Sequence, residues 1–215
     1  YLAQLYFADN TTDSAAKCYE YVIAQPKNEF TEQSLNRLCE IYLKKNDNAK
    51  AVPVLKRLET EADFPQNKTF AQANLMRVYY EQNDFANAVV YADKVLANPK
   101  TDNKIKSDAE IIVARSAVKV NDDAKARTAY ANLLKIAKGE LAAEALYYDA
   151  YFKNKDGKFA ESNKAVQKLT PEEELEAHES ITRAHSGNIL DKMRVDIKCK
   201  TQNQKALITE IKNKE

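Results

Sequence analysis

Small and apolar residues return along this chain in a shared register. Ala15, Ala51, Ala88, Ala126 and Ser162 follow one another at intervals of 36, 37, 38 and 36 residues. Nine residues ahead of these anchors stand Tyr6, Tyr42, Tyr79, Ala117 and Lys153, and twelve ahead stand Ala3, Cys39, Met76, Ala114 and Ala150. Seven residues after them come Val22, Leu58, Val95, Leu133 and Leu169. A period of this length marks stacked two-helix units, none of which can bury its apolar face alone. Arrays of that kind offer extended surfaces to other chains.

Within a unit the pattern predicts helix A, a short polar turn, then helix B. In the third unit Phe70 to Tyr80 carries Leu75, Met76, Val78 and Tyr79 at helical spacing. Glu81-Gln82-Asn83-Asp84 interrupts it, and Asp84 is placed to cap the next helix by accepting backbone N–H groups. Phe85, Ala88, Val89, Ala92, Val95 and Leu96 then form one apolar stripe. Asn98-Pro99 ends it, because proline disfavours helix in the residue before it.

The second unit repeats the scheme with Leu35, Leu38, Cys39 and Tyr42, the turn Asn46-Asp47-Asn48, then Ala51, Leu55 and Leu58. Asp63-Phe64-Pro65 is read as its close. The fourth has Ile112, Val113 and Ala114, the turn Asn121-Asp122-Asp123, then Ala126, Tyr130 and Leu133. The fifth has Leu146, Tyr147 and Ala150, the turn Lys155-Asp156-Gly157, then Phe159, Val166 and Leu169. Pro53 conflicts locally with its helix, so a later helix start or a bend is expected there.

Composition agrees with helices. Only 3 Gly and 5 Pro occur in 215 residues, which disfavours a turn-rich β fold. Charged residues make up 30% of the chain, yet the net charge is +1, so no global attraction to nucleic acid or anionic membrane arises. No apolar run is long enough for a membrane-spanning helix. Tyr1 falls inside a helical pattern, which reads as a chain cut from a longer polypeptide. Cys18, Cys39 and Cys199 are far apart, without metal-ligand spacing, and read as buried free thiols.

After Thr170 the texture changes. Thr170-Pro171-Glu172-Glu173-Glu174 is a helix start, with a capping hydroxyl, proline at the first position and acids in the first turn. Ile181, Leu190, Met193 and Ile197 supply apolar surface that would seal Val166 and Leu169. Residues 171–215 are therefore expected to be capping helices or a homodimerising arm. His178 and His185 share a helix face, and with Glu174 they still fall short of a convincing zinc site. No phosphate loop, nucleophile elbow or metalloprotease pair is present, so no catalytic residue, metal or cofactor is expected.

The sets Leu38–Cys39–Tyr42–Ala51–Leu55, Leu75–Met76–Tyr79–Ala88–Pro99 and Leu2–Ala3–Tyr6–Ala15–Tyr19–Pro26 resemble the tetratricopeptide repeat (TPR) family. Units four and five depart from it at Ala117 and Lys153, where the family has an aromatic. The resemblance implies an all-α, right-handed α-solenoid of about five TPR-like helix-turn-helix units over residues 1–170, with a distinct C-terminal helical segment. The units fall at about 1–28, 29–65, 66–100, 105–138 and 140–170.

In that family helix A lines the concave wall. The wall would here carry Asn36, Glu40, Lys44, Arg77, Tyr80, Arg115, Lys119, Tyr147 and Tyr151, with Arg77 and Arg115 suited to an acidic group of a protein or peptide partner. The competing reading is that these are solvated arginines paired with Glu81 or a nearby Asp. Ala142-Ala143-Glu144-Ala145-Leu146-Tyr147-Tyr148, followed by Gly157-Lys158-Phe159, is also similar to the long repeat arrays of bacterial periplasmic and outer-membrane assembly proteins. The resemblances imply a non-catalytic scaffold or adaptor in bacterial envelope assembly, with a periplasmic or outer-membrane-associated setting favoured and a cytoplasmic one left open. The alternative is a sensor or regulatory module of a larger signalling or transcription protein.

Overall fold

A computed structural model describes residues 1–166 and Lys168. Ten α-helices form among the described residues: α1 (Leu2–Ala8), α2 (Thr12–Ile23), α3 (Thr31–Lys44), α4 (Asn48–Glu61), α5 (Pro65–Glu81), α6 (Phe85–Ala97), α7 (Asn103–Lys119), α8 (Asp123–Ile136), α9 (Glu140–Lys155) and α10 (Phe159–Val166). They fall into two compact units, the first Tyr1–Thr101 and the second beginning at Asp102. In the first, each helix from α1 to α6 packs against the next. In the second, α7 packs on α8, α8 on α9, and α9 on α10. The expectations for Leu169, for 171–215, and for Glu174, His178, His185 and Cys199 lie outside the described residues.

The sequence register is a burial register. Ala15, Ala51, Ala88 and Ala126 are 0% exposed and Ser162 is 1% exposed. A small side chain at each anchor lets helix B approach its helix A closely, and a larger one would force the helices apart. Ser162 satisfies its hydroxyl by donating to the Ala150 carbonyl at 2.8 Å, so the one polar anchor leaves no buried donor unpaired. Cys39, Met76, Ala114 and Ala150, twelve residues earlier, are also 0% exposed.

The turn inside each unit has one geometry. Asn10, Asn46, Asn83 and Asn121 have φ of 58°, 54°, 59° and 60°, and Gly157 has 76°. Each stands five residues ahead of its anchor. Asparagine and glycine are the residues that tolerate this left-handed conformation. The next residue's N–H reaches back to the last turn of helix A: Asp47 to the Tyr42 carbonyl, Asp84 to Tyr79, and Asp122 to Ala117, at 2.8–2.9 Å. The same aspartates cap helix B by accepting the N–H of Lys50, Asn87 and Lys125. One residue pair thus closes one helix and opens the next.

One local expectation is corrected and another is narrowed. The Asp63-Phe64-Pro65 stretch does not simply close a unit, because Pro65 is the first residue of α5. Its missing N–H costs nothing there and its fixed φ suits the first helical position. Pro53 does not delay its helix, since α4 starts at Asn48 with Asp47 as N-cap and runs through it. Pro53 lies on the exposed side together with Ala49, four residues earlier, where water can take the freed carbonyl. The thiols also differ: Cys39 is buried as expected, whereas Cys18 is only half-buried.

Candidate protein-interaction surface

The outward sides of α3 and α5 form the first candidate surface. Leu35, Leu38, Cys39 and Leu75, Met76, Tyr79 turn inward, and helical spacing then brings the polar residues between them to the outside. Lys44 is exposed, while Asn36, Glu40, Arg77 and Tyr80 are half-buried. Glu40 is held by Arg37 at 2.7 Å, whose guanidinium also covers the Phe7 ring at 4.9 Å. The Tyr80 ring meets Phe85 edge-on at 5.8 Å, which fixes its orientation.

Asn36 belongs to a polar chain that ties α3 to α5. Its Nδ2 donates to Asn67 Oδ1 at 2.9 Å, and Asn67 Nδ2 donates to Glu32 Oε1 at 2.7 Å. Glu32 also accepts the backbone N–H groups of Asp63 and Phe64. Burial alone would raise the Glu32 carboxyl, but these three donors outweigh it and hold the group below its ordinary value.

The second candidate surface lies on α7 and α9. Lys119 is exposed and Tyr151 half-buried, with the Tyr151 ring edge-on to Tyr148 and Phe152 at 6.2 and 5.3 Å. Tyr147 is 5% exposed and belongs to the core more than to the surface. Arg115 is engaged internally. Its Nε and Nη2 donate to Glu144 on α9 at 3.0 and 2.6 Å, and Tyr130 on α8 donates to the same carboxylate at 3.1 Å. Glu144 is 0% exposed. A buried carboxylate needs such partners, because an isolated one would be expelled or protonated. Tyr130 stacks on Tyr148 at 4.3 Å, and burial pushes both phenols above their ordinary range. Of the two arginines expected to face an acidic ligand, Arg115 therefore meets an acid of its own chain, the buried Glu144.

The register carried a signal for this pair that charge alone did not. Arg115 stands eleven residues before Ala126, and Glu144 eighteen before Ser162. The same two places in the first two units hold Gln4 and Gln33, whose side chains also meet, at 3.4 Å. α1 and α3, and likewise α7 and α9, thus touch through these two positions. Outer ion pairs reinforce the α8–α9 junction: Arg127 takes both Asp156 oxygens at 2.7 and 2.8 Å, and Lys155 pairs with Asp123.

On α2, α3 and α4 a cleft of about 390 Å³ is lined by Asp13, Lys17, Glu20, Tyr42, Lys45, Asp47 and Lys50. Lys45 pairs there with Asp13, and Tyr42 donates to Glu20. Among the described residues no group of His, Cys, Asp and Glu is arranged to hold a metal ion. No described helix is long and apolar enough to cross a membrane.

No protein-family model matches this sequence, and no curated protein matches it. In structure it is similar to a tetratricopeptide repeat protein from Parabacteroides merdae ATCC 43184, with a TM-score of 0.56 and 12% sequence identity over 98% of this chain and 75% of that one. At that identity the likeness defines the fold. The chain has a TPR-like, all-α solenoid fold, of the kind that in general serves protein interaction.

Proposed function

We propose that this chain is a non-catalytic scaffold or adaptor that binds a partner protein or peptide on the outward sides of its A helices. One patch comprises Asn36, Glu40, Lys44, Arg77 and Tyr80; the other comprises Lys119 and Tyr151, with Arg115 and Tyr147 as its rigid base. The observation that carries the reading is the division of labour on α3, α5, α7 and α9. Each buries apolar residues; α3 and α7 leave Lys44 and Lys119 exposed, and α5 and α9 hold the half-exposed rings of Tyr80 and Tyr151 in place against Phe85 and Phe152. Aromatic groups held in place lose little entropy on binding and are favoured as interface anchors. Assembly of a bacterial envelope is the proposed setting; the bacterial source of the structural neighbour and the Ala142–Tyr148 texture support it.

Affinity capture from the source cell with this chain as bait identifies the partner. The expected result is a partner whose binding weakens on Lys44→Ala with Tyr80→Ala, or on Lys119→Ala with Tyr151→Ala, while helicity stays unchanged. Undiminished affinity in both double variants would exclude the A-helix surfaces.

A further inference from the structure

The cleft on α2, α3 and α4 carries charges that its place in the array does not require. The register puts Asp13, Lys17, Lys45 and Lys50 where the next junction, among α4, α5 and α6, has Ala49, Pro53, Gln82 and Asn87. In each junction an A helix packs between two B helices and buries a tyrosine at the same place, Tyr42 in one and Tyr79 in the other. Neutral residues therefore serve the packing equally well. Exposed ion pairs add little to stability, so stability does not explain the charges either.

Their arrangement is directional. Asp13 is surrounded by ammonium groups: Lys45 pairs with it and, together with Lys17 and Lys50, holds its carboxyl below the ordinary value. The Tyr42 hydroxyl faces carboxylates instead. It donates to Glu20, and burial, then Glu20 and Asp47, push the phenol up. Tyr42 is 4% exposed, so its hydroxyl is a fixed point, and its lone pairs remain able to accept from an incoming donor. Two of the cations are weakly committed. Lys17 makes no hydrogen bond or ion pair among the described residues. Lys50 reaches Asp47 only at 4.0 Å and lies over the Tyr42 ring at 5.6 Å.

We propose that this cleft binds a small zwitterion, a free amino acid or a dipeptide, with its carboxylate on Lys17 and Lys50 and its ammonium on Glu20 and the Tyr42 hydroxyl. The volume of about 390 Å³ suits a ligand of that size and lies at the lower end of the range for small-molecule sites. The lining holds Lys17, Lys45 and Lys50 against Asp13, Glu20 and Asp47, a balance that matches a ligand of no net charge. A ligand with one charge would leave either the ammonium groups or the carboxylates unanswered, whereas a zwitterion meets both. The site shares no residue with the A-helix patches proposed above and stands whether or not they bind a partner.

The test titrates the full chain, isotope-labelled for NMR, with each common L-amino acid and with L-alanyl-L-alanine. The expected result is saturable shifts at Asp13, Lys17, Tyr42 and Lys50 from at least one probe; a stronger response to the dipeptide than to every amino acid assigns the longer ligand. Acetylating the amine of the best probe, or amidating its carboxylate, should each weaken binding by roughly tenfold or more, since each removes one charged contact. Lys17→Gln and Glu20→Gln should each weaken it several-fold and leave the melting temperature unchanged. Lys17 has no partner to lose, and a glutamine at position 20 still accepts from Tyr42. No saturable shift from any probe, equal binding of the acetylated or amidated form, or unchanged affinity in either variant would overturn the proposal.

Discussion

At the scale of single residues, two positions per unit carry the architecture: the small anchor and the left-handed residue five places before it. Ala88 is 0% exposed, so Ala88→Glu places a charge and a much longer side chain where no space or partner exists. The expected cost is more than about 3 kcal/mol, seen as loss of the cooperative helical melt. Asn83, with φ of 59°, gives a finer test: Asn83→Gly should change stability little, whereas Asn83→Val should cost about 1–2 kcal/mol because Cβ branching is penalised in that conformation. The Arg115–Glu144 pair belongs here too. Glu144→Ala removes the carboxylate to which Arg115 and Tyr130 both donate and should cost about 3–5 kcal/mol, while Glu144→Leu combined with Arg115→Met should cost less than the single change. Denaturant unfolding of the three proteins separates those outcomes. The anchors were legible in the sequence because their small size is dictated by the helix crossing. The Arg115–Glu144 contact was not, since two charges 29 positions apart look like any pair on a solvated surface until the register aligns them.

At the scale of elements, helix ends follow local chemistry closely. Asp47, Asp84 and Asp122 each accept an N–H from the first turn of the helix they open, and the asparagine before each ends the previous helix. The aspartate signal was readable from residue type and place; the recurring left-handed asparagine was hidden among the asparagines of ordinary loops. The two prolines show where residue type misleads. Proline signals a break, but Pro65 opens a helix, and Pro53 stays on the water-facing side of one, where its lost hydrogen bond is least costly. Junctions between helices supply a pH test. The Glu32 carboxyl is held below its ordinary value of 4.5. Its contribution is therefore complete above that value and is lost as the pH falls through the lowered native value. Glu32→Gln should flatten the acid limb of the stability curve below about pH 4.5 and leave its slope near neutrality unchanged. An identical acid limb would show that the hydrogen bonds to Asp63, Phe64 and Asn67 contribute nothing. Thiol chemistry is a second check, since burial pushes Cys39 up to about 12. At pH 8 an alkylating reagent should modify Cys18 well before Cys39, and Cys39 only on unfolding.

At the scale of the molecule, the periodic pattern was enough to define an all-helical array and its TPR-like fold, because period, anchor size and helix amphipathicity all demand the same arrangement. The binding residues were less legible. Position on helix A identified Lys44, Tyr80, Lys119 and Tyr151 as outward, yet it treated Arg115 and Tyr147 as equivalent to them, and both are drawn inward by the Glu144 and Tyr148 contacts. A pattern of helical faces reports which side a residue leaves from; the length of its side chain and its neighbours decide where it ends. The central claim is that partners sit on the A helices. It is tested most directly by placing a photo-crosslinking amino acid at Tyr80, at Tyr151 and, as a control, at Val90 on α6, which is 51% exposed, then irradiating source cells and identifying the adducts. The account predicts a defined protein adduct from Tyr80 or Tyr151 and none from Val90. Adducts confined to Val90 would contradict it.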